Sequence, residues 1–171
     1  VQQMLEGRVR WVGGPGETCH AVIAGHPLCE YATEPRLRSA VALLRGGAEL
    51  VGICADRVYP SPRGLELGSG AMCAMLAYAA DVRPTFCGKP EAEFFLNLCR
   101  RLDVRPERCV LIGDNVESDV AGARRVGMRT ILTLTGVAQR GDLGELPADL
   151  RPDGVVADLT QLASQPGARM V

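Results

Sequence analysis

Residues 109–127 read "CVLIGDNVESDVAGARRVG" and combine an apolar run, two spaced acids and a helical pattern that ends in glycine. The apolar residues before Gly113 predict a short buried strand, and the residues after Asp119 predict a helix that Gly127 ends. Asp114 follows the strand directly. Ligands of open parallel sheets collect beyond the carboxyl ends of the strands. The loop can therefore turn the carboxylates of Asp114 and Asp119 toward one point.

A lysine lies in a comparable place upstream. Residues 85–87 predict a short strand, and a helix is predicted from Pro90 to about Leu102, so Lys89 lies in the turn between them. Carboxylate oxygens suit Mg²⁺, and a lysine charge beside Mg²⁺ can neutralise a phosphoryl group. Each residue alone is more often a turn, a helix-dipole acid or a surface lysine. The two strand-end motifs together predict a Mg²⁺–phosphate site.

The rest of the chain alternates predicted strands and helices, which indicates an α/β fold with a parallel sheet. The N-terminal elements are a strand at residues 20–25, a helix from about Thr33 to Gly46, a strand at 48–55, a Pro/Gly/Ser-rich loop at 56–70 and an apolar helix at 71–80. From residue 85 the order is strand, helix, strand, helix, strand, loop, strand, helix, which is half of a doubly wound core. A change of composition predicts a domain boundary at residues 81–83.

The composition argues against several classes of function. The chain has 19 Lys and Arg against 20 Asp and Glu, and 4% aromatic residues, so a nucleic-acid partner is not expected. Seven cysteines without a C-x-x-C pair, and two histidines, argue against a zinc site or a disulfide framework. They predict a cytoplasmic protein with reduced core cysteines. No apolar run is long enough for a membrane span, and no signal peptide is visible.

Two segments resemble a known family. "GKPEAEFF", followed by "CVLIGDNVESDVAGARRVGMRTILTLTGV", is similar to the third and fourth motifs of the haloacid dehalogenase (HAD) superfamily. The resemblance is closest to its NagD-like phosphatases, which act on sugar, glycolate or glycerol phosphates and carry a large α/β (C2-type) cap. It implies an α/β cap at residues 1–82 and the C-terminal half of a Rossmann-like HAD core at 83–171. It also suggests a homodimer formed through the cap.

The same resemblance implies roles for five residues. Lys89 would be catalytic, binding the phosphoryl group and steadying the nucleophile. Asp114 would bind Mg²⁺, and Asp119 would bind it directly, through water, or by orienting its neighbours. Gly113 and Asn115 would form the surrounding shell.

The segment after the second strand departs from the family pattern. The family usually has Thr-Asn-x-Asp here, whereas this chain reads Ile53-Cys54-Ala55-Asp56, so the amide is lost. The resemblance implies that Asp56 and Arg57, at the start of the 56–70 loop, face the substrate from the cap. A contact that depends on the lost amide is not expected in this chain.

The attacking group of the family has no counterpart in the chain. HAD phosphatases react through an aspartyl-phosphate that needs an Asp-x-Asp motif after an N-terminal strand. The aspartates lie at positions 56, 81, 103, 114, 119, 142, 149, 153 and 158, and no two are separated by a single residue. We therefore expect the C-terminal portion of a phosphatase of small phosphorylated metabolites, inactive alone and prone to self-association.

Other interpretations remain open at this point. The chain could be a non-catalytic pseudo-phosphatase, or a binding or oligomerisation module that keeps a metal–phosphate half-site. A receiver-like signalling domain would need its lysine after the acids, whereas Lys89 precedes them. A dinucleotide-binding fold would need G-x-G-x-x-G after its first strand, and "GGPGE" at residues 13–17 lacks that spacing.

Overall fold

The computed structural model describes residues 5–12, 16–26, 32–144 and 146–163, in which helices alternate with short strands. The elements in chain order are β1 (Ala21–Ala24), α1 (Glu34–Arg45), β2 (Glu49–Gly52), β3 (Val58–Ser61), β4 (Gly64–Leu67), α2 (Ser69–Ala80), β5 (Pro84–Phe86), α3 (Ala92–Leu102), β6 (Val110–Gly113), α4 (Ala121–Arg125), β7 (Arg129–Thr133), β8 (Gly154–Val156) and α5 (Thr160–Ala163). The α/β class predicted from the sequence is confirmed.

The first sheet has the order β1-β2-β5, and all its strands are parallel. Helices α1 and α2 cover one of its faces through a buried cluster of Ala24, Leu44, Leu50, Cys73, Leu76 and Ala80. The predicted boundary at residues 81–83 assigns β5 to the C-terminal half. In the structure β5 is hydrogen-bonded to β2 and lies in the first sheet. The domain boundary itself stays a prediction.

The segment at residues 56–70 is the clearest difference from the sequence-based expectation. It was predicted to be a loop, but β3 and β4 form an antiparallel hairpin in it, with Ser61 opposite Gly64. Glu66 ties the two strands together, since its carboxylate accepts hydrogen bonds from the Tyr59 hydroxyl (2.8 Å) and the Ser61 hydroxyl (2.7 Å). Pro60 is tolerated because a two-stranded ribbon has only edge strands.

The second sheet has the order β6-β7-β8 and is also parallel. Helices α3 and α4 pack against one face through a cluster of Phe95, Cys99, Ala123 and Met128, to which Leu111 of β6 adds. Successive side chains of a strand point to opposite faces, so Val110 and Ile112 point away from these helices. Each of them is 42% exposed.

The turn that leads out of β6 is not an ordinary helix start. Residues Val116–Val120 form a single π-helical turn, and α4 continues directly from it. The helix ends as predicted at Gly127, whose φ is +83°. This geometry places Asp119 inside the π turn and not in the first turn of α4.

The expectations of reduced core cysteines and of no membrane-spanning helix agree in part with the structure. The six described cysteines are free thiols, but only Cys73 and Cys99 are buried, and Cys87 is exposed. Cys29 lies outside the described residues. None of the described helices combines the length and apolar character that crossing a membrane requires.

Candidate active site

The ends of β5 and β6 bring Lys89 and Asp119 into direct contact. The Lys89 Nζ lies 2.6 Å from the Asp119 Oδ1. Thirty positions separate the two residues, so the pairing depends on the fold. The Asp119 side chain is only 5% exposed and that of Lys89 is 31% exposed. The pairing is therefore a largely buried ion pair and not an exposed helix-dipole contact.

The second carboxylate oxygen of Asp119 accepts hydrogen bonds from the loop that carries Asp114. The Asp119 Oδ2 accepts hydrogen bonds from the backbone N–H groups of Asp114 and Asn115, each at 3.1 Å. Gly113 permits this approach, since a Cβ at that position would lie 2.4 Å from the Asp119 Cγ. Both carboxylate oxygens of Asp119 are thus engaged with the protein. Which of the three expected roles Asp119 has stays a prediction.

Asn115 caps the π turn and also reaches across to the hairpin segment. Its Oδ1 accepts hydrogen bonds from the backbone N–H groups of Glu117 (2.9 Å) and Ser118 (3.3 Å), which is the ordinary action of an N-cap side chain. Its Nδ2 donates to the Asp56 Oδ1 at 3.2 Å. Asn115 therefore connects the turn that carries Asp119 with the segment after β2.

Asp114 has a fixed side chain with one open oxygen. Its Oδ2 accepts from the Val137 backbone N–H at 2.9 Å, and its backbone carbonyl accepts from the Ala138 N–H, also at 2.9 Å. Gly136 is required here, because a Cβ would fall 1.7 Å from the Asp114 Oδ2. Within the part of the chain that the structure describes, Oδ1 accepts no hydrogen bond. This open oxygen is suited to a cation.

The carboxylates at this sheet edge can be compared with what a Mg²⁺ site requires. Among the described residues, no group of three or more His, Cys, Asp or Glu side chains could hold a metal ion. Protein-bound Mg²⁺ is usually held by one or two carboxylates, with waters and phosphate oxygens completing the shell. The Asp114 carboxylate, with its free Oδ1, fits that pattern as one ligand.

Lys89 is held in its charged form. Burial would lower the pKa of the Lys89 ammonium, but the hydrogen bond and charge of Asp119, helped by the charges of Asp56 and Asp114, outweigh it and raise that pKa. An ammonium group has three N–H donors, and Asp119 takes one of them. The other donors of this cation are not taken by Asp119, and the charge of Asp114 lies near enough to contribute to the raised pKa of Lys89.

A groove of about 450 Å³ lies beside Asp114. Its wall includes Ile112 of β6, Thr133 at the end of β7 and Leu159 before α5, and Pro60 of the hairpin also lines it. The expectation that the 56–70 segment faces the site agrees with the position of Pro60. Asp114 lines this groove, whereas Lys89 and Asp119 do not.

The two residues predicted to contact substrate from the cap have partners within the protein. Asp56 accepts the hydrogen bond from Asn115, and the Arg57 Nε lies 3.2 Å from the Glu117 Oε2 in an exposed ion pair. The structure thus brings Asp56 together with Lys89, Asp119 and Asn115. Whether Arg57 also binds substrate stays a prediction.

Sequence reasoning did not predict that Cys54 contacts Ser69 and holds the Asp56 carboxylate through a hydrogen bond. The Cys54 Sγ lies 2.8 Å from the Ser69 Oγ and donates to the Asp56 Oδ2 at 3.1 Å. Burial raises the pKa of the Cys54 thiol, which keeps it a donor at neutral pH. The glycines on both sides of Ser69 were the available signal, because paired glycines often mark a close backbone approach.

Known proteins resemble the chain in both sequence and structure. A family model described as "HAD-hyrolase-like" matches residues 86–162. The bovine haloacid dehalogenase-like hydrolase domain-containing protein 2 is 43% identical over 106 residues, which are 62% of this chain and 41% of the relative. A 4-nitrophenylphosphatase from Thermotoga maritima superposes with a TM-score of 0.75 at 28% identity, over 85% of this chain and 55% of that one.

A third comparison is with a metal-bound structure. The glycerol phosphate phosphatase from Mycobacterium tuberculosis in complex with magnesium superposes with a TM-score of 0.71 at 30% identity, over 82% of this chain and 42% of that one. The chain therefore spans about half the length of these proteins. Together with the parallel α/β fold and the lysine–aspartate arrangement, these matches show that residues 86–162 are of the haloacid dehalogenase type and that the chain resembles phosphatases of that superfamily.

Proposed function

We propose that the chain is the C-terminal part of a Mg²⁺-dependent phosphatase that hydrolyses small phosphate monoesters. The observation that carries the proposal is the buried Lys89–Asp119 pair beside Asp114, whose Oδ1 is open. A fixed cation and an open carboxylate oxygen at one sheet edge suit the binding of a phosphoryl group together with Mg²⁺. The glycerol phosphate and 4-nitrophenyl phosphate phosphatases that resemble the chain support a small ester as substrate.

Each residue has a defined task in this proposal. Lys89 donates to a phosphoryl oxygen with the N–H groups that Asp119 leaves free, and Asp119 keeps the ammonium in place. Asp114 would hold Mg²⁺ through Oδ1, and the ion when bound neutralises charge on the phosphate. Gly113 and Gly136 allow the close approaches that fix the two carboxylates. None of these groups is the nucleophile.

The attacking carboxylate has to come from another segment. No two aspartates of the chain are separated by a single residue, so the paired nucleophile and acid–base residue of an aspartyl-phosphate mechanism are absent from it. Positioning and charge stabilisation do not replace the attacking group. The chain alone should bind Mg²⁺ and phosphate weakly and turn over no ester.

The test separates binding from turnover. Mg²⁺ alone, and then Mg²⁺ with inorganic phosphate, should shift the backbone amide signals of Asp114 and Asn115 in NMR spectra, and the shifts should disappear in Asp114→Ala. Hydrolysis of p-nitrophenyl phosphate should stay at the level of buffer. Absence of any Mg²⁺-dependent shift would contradict the half-site, and turnover that Asp114→Ala abolishes would contradict the missing nucleophile.

The second candidate is a non-catalytic module that retains the half-site and associates through the predicted cap. The absence of Asp-x-Asp favours it as much as it favours a separated nucleophile segment. The coding sequence upstream of Val1 distinguishes them. A strand pattern followed by Asp-x-Asp supports the phosphatase, and a start codon without that motif supports the module. A homodimer through the cap stays a prediction that light scattering would test.

A further inference from the structure

A chain of side-chain hydrogen bonds runs from the start of α2 to the π turn. Ser69 and Cys54 are in contact at 2.8 Å, the Cys54 thiol donates to the Asp56 Oδ2 at 3.1 Å, and the Asp56 Oδ1 accepts from the Asn115 Nδ2 at 3.2 Å. Both oxygens of Asp56 are therefore used inside the protein. A carboxylate held in this way is fixed in orientation and is poorly placed to receive a substrate.

The segment that carries Asp56 is clamped by close backbone contacts. A Cβ at Gly68 would lie 2.1 Å from the Asp56 carbonyl oxygen, one at Gly70 would lie 2.3 Å from that of Ala55, and one at Gly88 would lie 2.0 Å from that of Ile53. Contacts this close cannot be made by any residue with a side chain. The close backbone packing therefore fixes this segment, as expected of a rigid support and not of a mobile loop that senses substrate.

The same segment contacts both halves of the candidate site. The Ala55 backbone N–H donates to the carbonyl of Lys89 at 2.8 Å, which ties the segment to the lysine turn. Asp56 reaches Asn115, whose Oδ1 caps the backbone N–H groups of Glu117 and Ser118. Asp56 is therefore the side-chain connection between the support under Lys89 and the turn that carries Asp119.

We propose that Asp56 is a positioning residue, which orients the Asn115 carboxamide so that its oxygen caps the π turn and keeps Asp119 on Lys89. The inference rests on the proposed function in assigning this turn to a phosphate site, and it replaces the expectation that Asp56 contacts substrate. Since the Asn115 amide nitrogen faces Asp56, its oxygen must face the N–H groups of the turn. Cys54 supports this arrangement by holding the other oxygen of Asp56.

The decisive experiment exchanges the carboxylate of Asp56 and the carboxamide of Asn115. Asn115→Asp keeps a cap oxygen but sets a carboxylate against Asp56. We expect hydrogen exchange of the Glu117 and Ser118 amides to become roughly tenfold faster, together with that of the Asp114 and Asn115 amides. The double variant Asp56→Asn/Asn115→Asp has the net charge of the unaltered chain and lets an amide at position 56 donate to a carboxylate at 115. Exchange should then return to within about twofold of the original rates.

The matched control removes a cap of the same kind elsewhere. The Asp158 Oδ1 accepts from the Thr160 backbone N–H at 2.8 Å, and Asp158→Ala should leave exchange of the Asp114, Asn115, Glu117 and Ser118 amides unchanged. Should Asn115→Asp fail to fold, Asp56→Ala removes the connection from its other side without altering the cap. That variant should accelerate exchange at the Glu117 and Ser118 amides by a similar factor.

The outcomes separate this inference from the proposed function. Unchanged exchange in Asn115→Asp or in Asp56→Ala overturns the positioning role. The positioning role is also overturned if the double variant does not slow the accelerated hydrogen exchange, because the π turn then depends on Asn115 alone. Hydrogen exchange is measured without metal. Failure of Mg²⁺ to shift any amide signal of the unaltered chain therefore contradicts the proposed function and leaves the positioning result standing.

Discussion

The two three-stranded parallel sheets are built alike but differ on their open faces. In each, a pair of helices covers one face. The uncovered face of the first sheet carries the exposed Glu49 and Thr85 beside its apolar residues. The second sheet exposes Val110 and Ile112, each at 42%, and also the charged Arg129 that pairs with Val110. Parallel sheets are normally covered on both faces, so the open apolar residues of the second sheet are candidates for the self-association that the sequence predicts.

The strongest test of this comparison is whether the two sheets unfold separately. Phe95 in the second unit is fully buried and Leu50 in the first is 1% exposed, and their clusters share no residue. Phe95→Ala should cost about 3–5 kcal/mol and Leu50→Ala about 2–5 kcal/mol. In calorimetry each variant should lower the midpoint temperature of unfolding of the sheet that contains the substituted residue or packs against it. A single transition that both variants shift equally would show that the sheets unfold as one.

A smaller effect is expected where the carboxyl edge of the second sheet is most crowded. Gly113→Ala would drive a methyl group into the Asp119 carboxylate, and overpacking of this kind costs roughly 1–3 kcal/mol. The matched control is Gly141→Ala, because a Cβ there meets nothing within 4 Å. Chemical denaturation should show a loss of stability for the first variant alone. Equal stabilities would mean that Asp119 is not held where the structure has it.

Acid should weaken the second sheet through Asp153. The Thr130 backbone N–H donates to the Asp153 Oδ2 at 2.7 Å and is the main cause of a lowered pKa of the Asp153 carboxyl. A carboxyl with a lowered pKa stabilises the fold above its unfolded value of about 3.9, and this contribution is lost as pH falls through the folded value.

The Asp153 contribution can be measured directly. Thr130 is fully buried, so Asp153→Ala leaves its N–H unsatisfied and should cost about 1–2 kcal/mol at neutral pH. Urea titrations of both proteins between neutral and acidic pH should converge once Asp153 is protonated. A difference that persists unchanged into acid would exclude the carboxylate as its source.

The smallest effect on stability, with the largest effect on association, is expected at the open face itself. Val110→Thr combined with Ile112→Thr should change the free energy of unfolding by less than about 0.5 kcal/mol per site. It should also reduce self-association in sedimentation velocity. The matched control is Ile23→Thr, on the open face of the first sheet at 37% exposure. Association that falls equally in the control would remove the distinction between the two faces.

The residues around Asp114 were largely predictable, and those around Asp56 were not. The strand, the acids and the glycine stop between residues 109 and 127 follow local rules of periodicity and capping, and the structure has each of them. The hairpin at residues 56–70 was mistaken for a loop, because its Pro, Gly and Ser content hid the pairing of Val58 with Leu67. The pairing of β5 with β2 could not be predicted either, because the two strands lie more than thirty residues apart.

Apart from the β3–β4 hairpin, the sequence by itself determined the order of helices and strands and the choice of Lys89, Asp114 and Asp119, because these depend on spacing within single strand–turn–helix units. Only the tertiary structure decided which groups each carboxylate oxygen contacts. Asp119 uses both oxygens on protein groups, whereas Asp114 keeps one open. It also joined Cys54 and Asp56 to Asn115. The contacts of Lys89 with Asp119 and of Asp56 with Asn115 join residues 30 and 59 positions apart, so local spacing does not predict them.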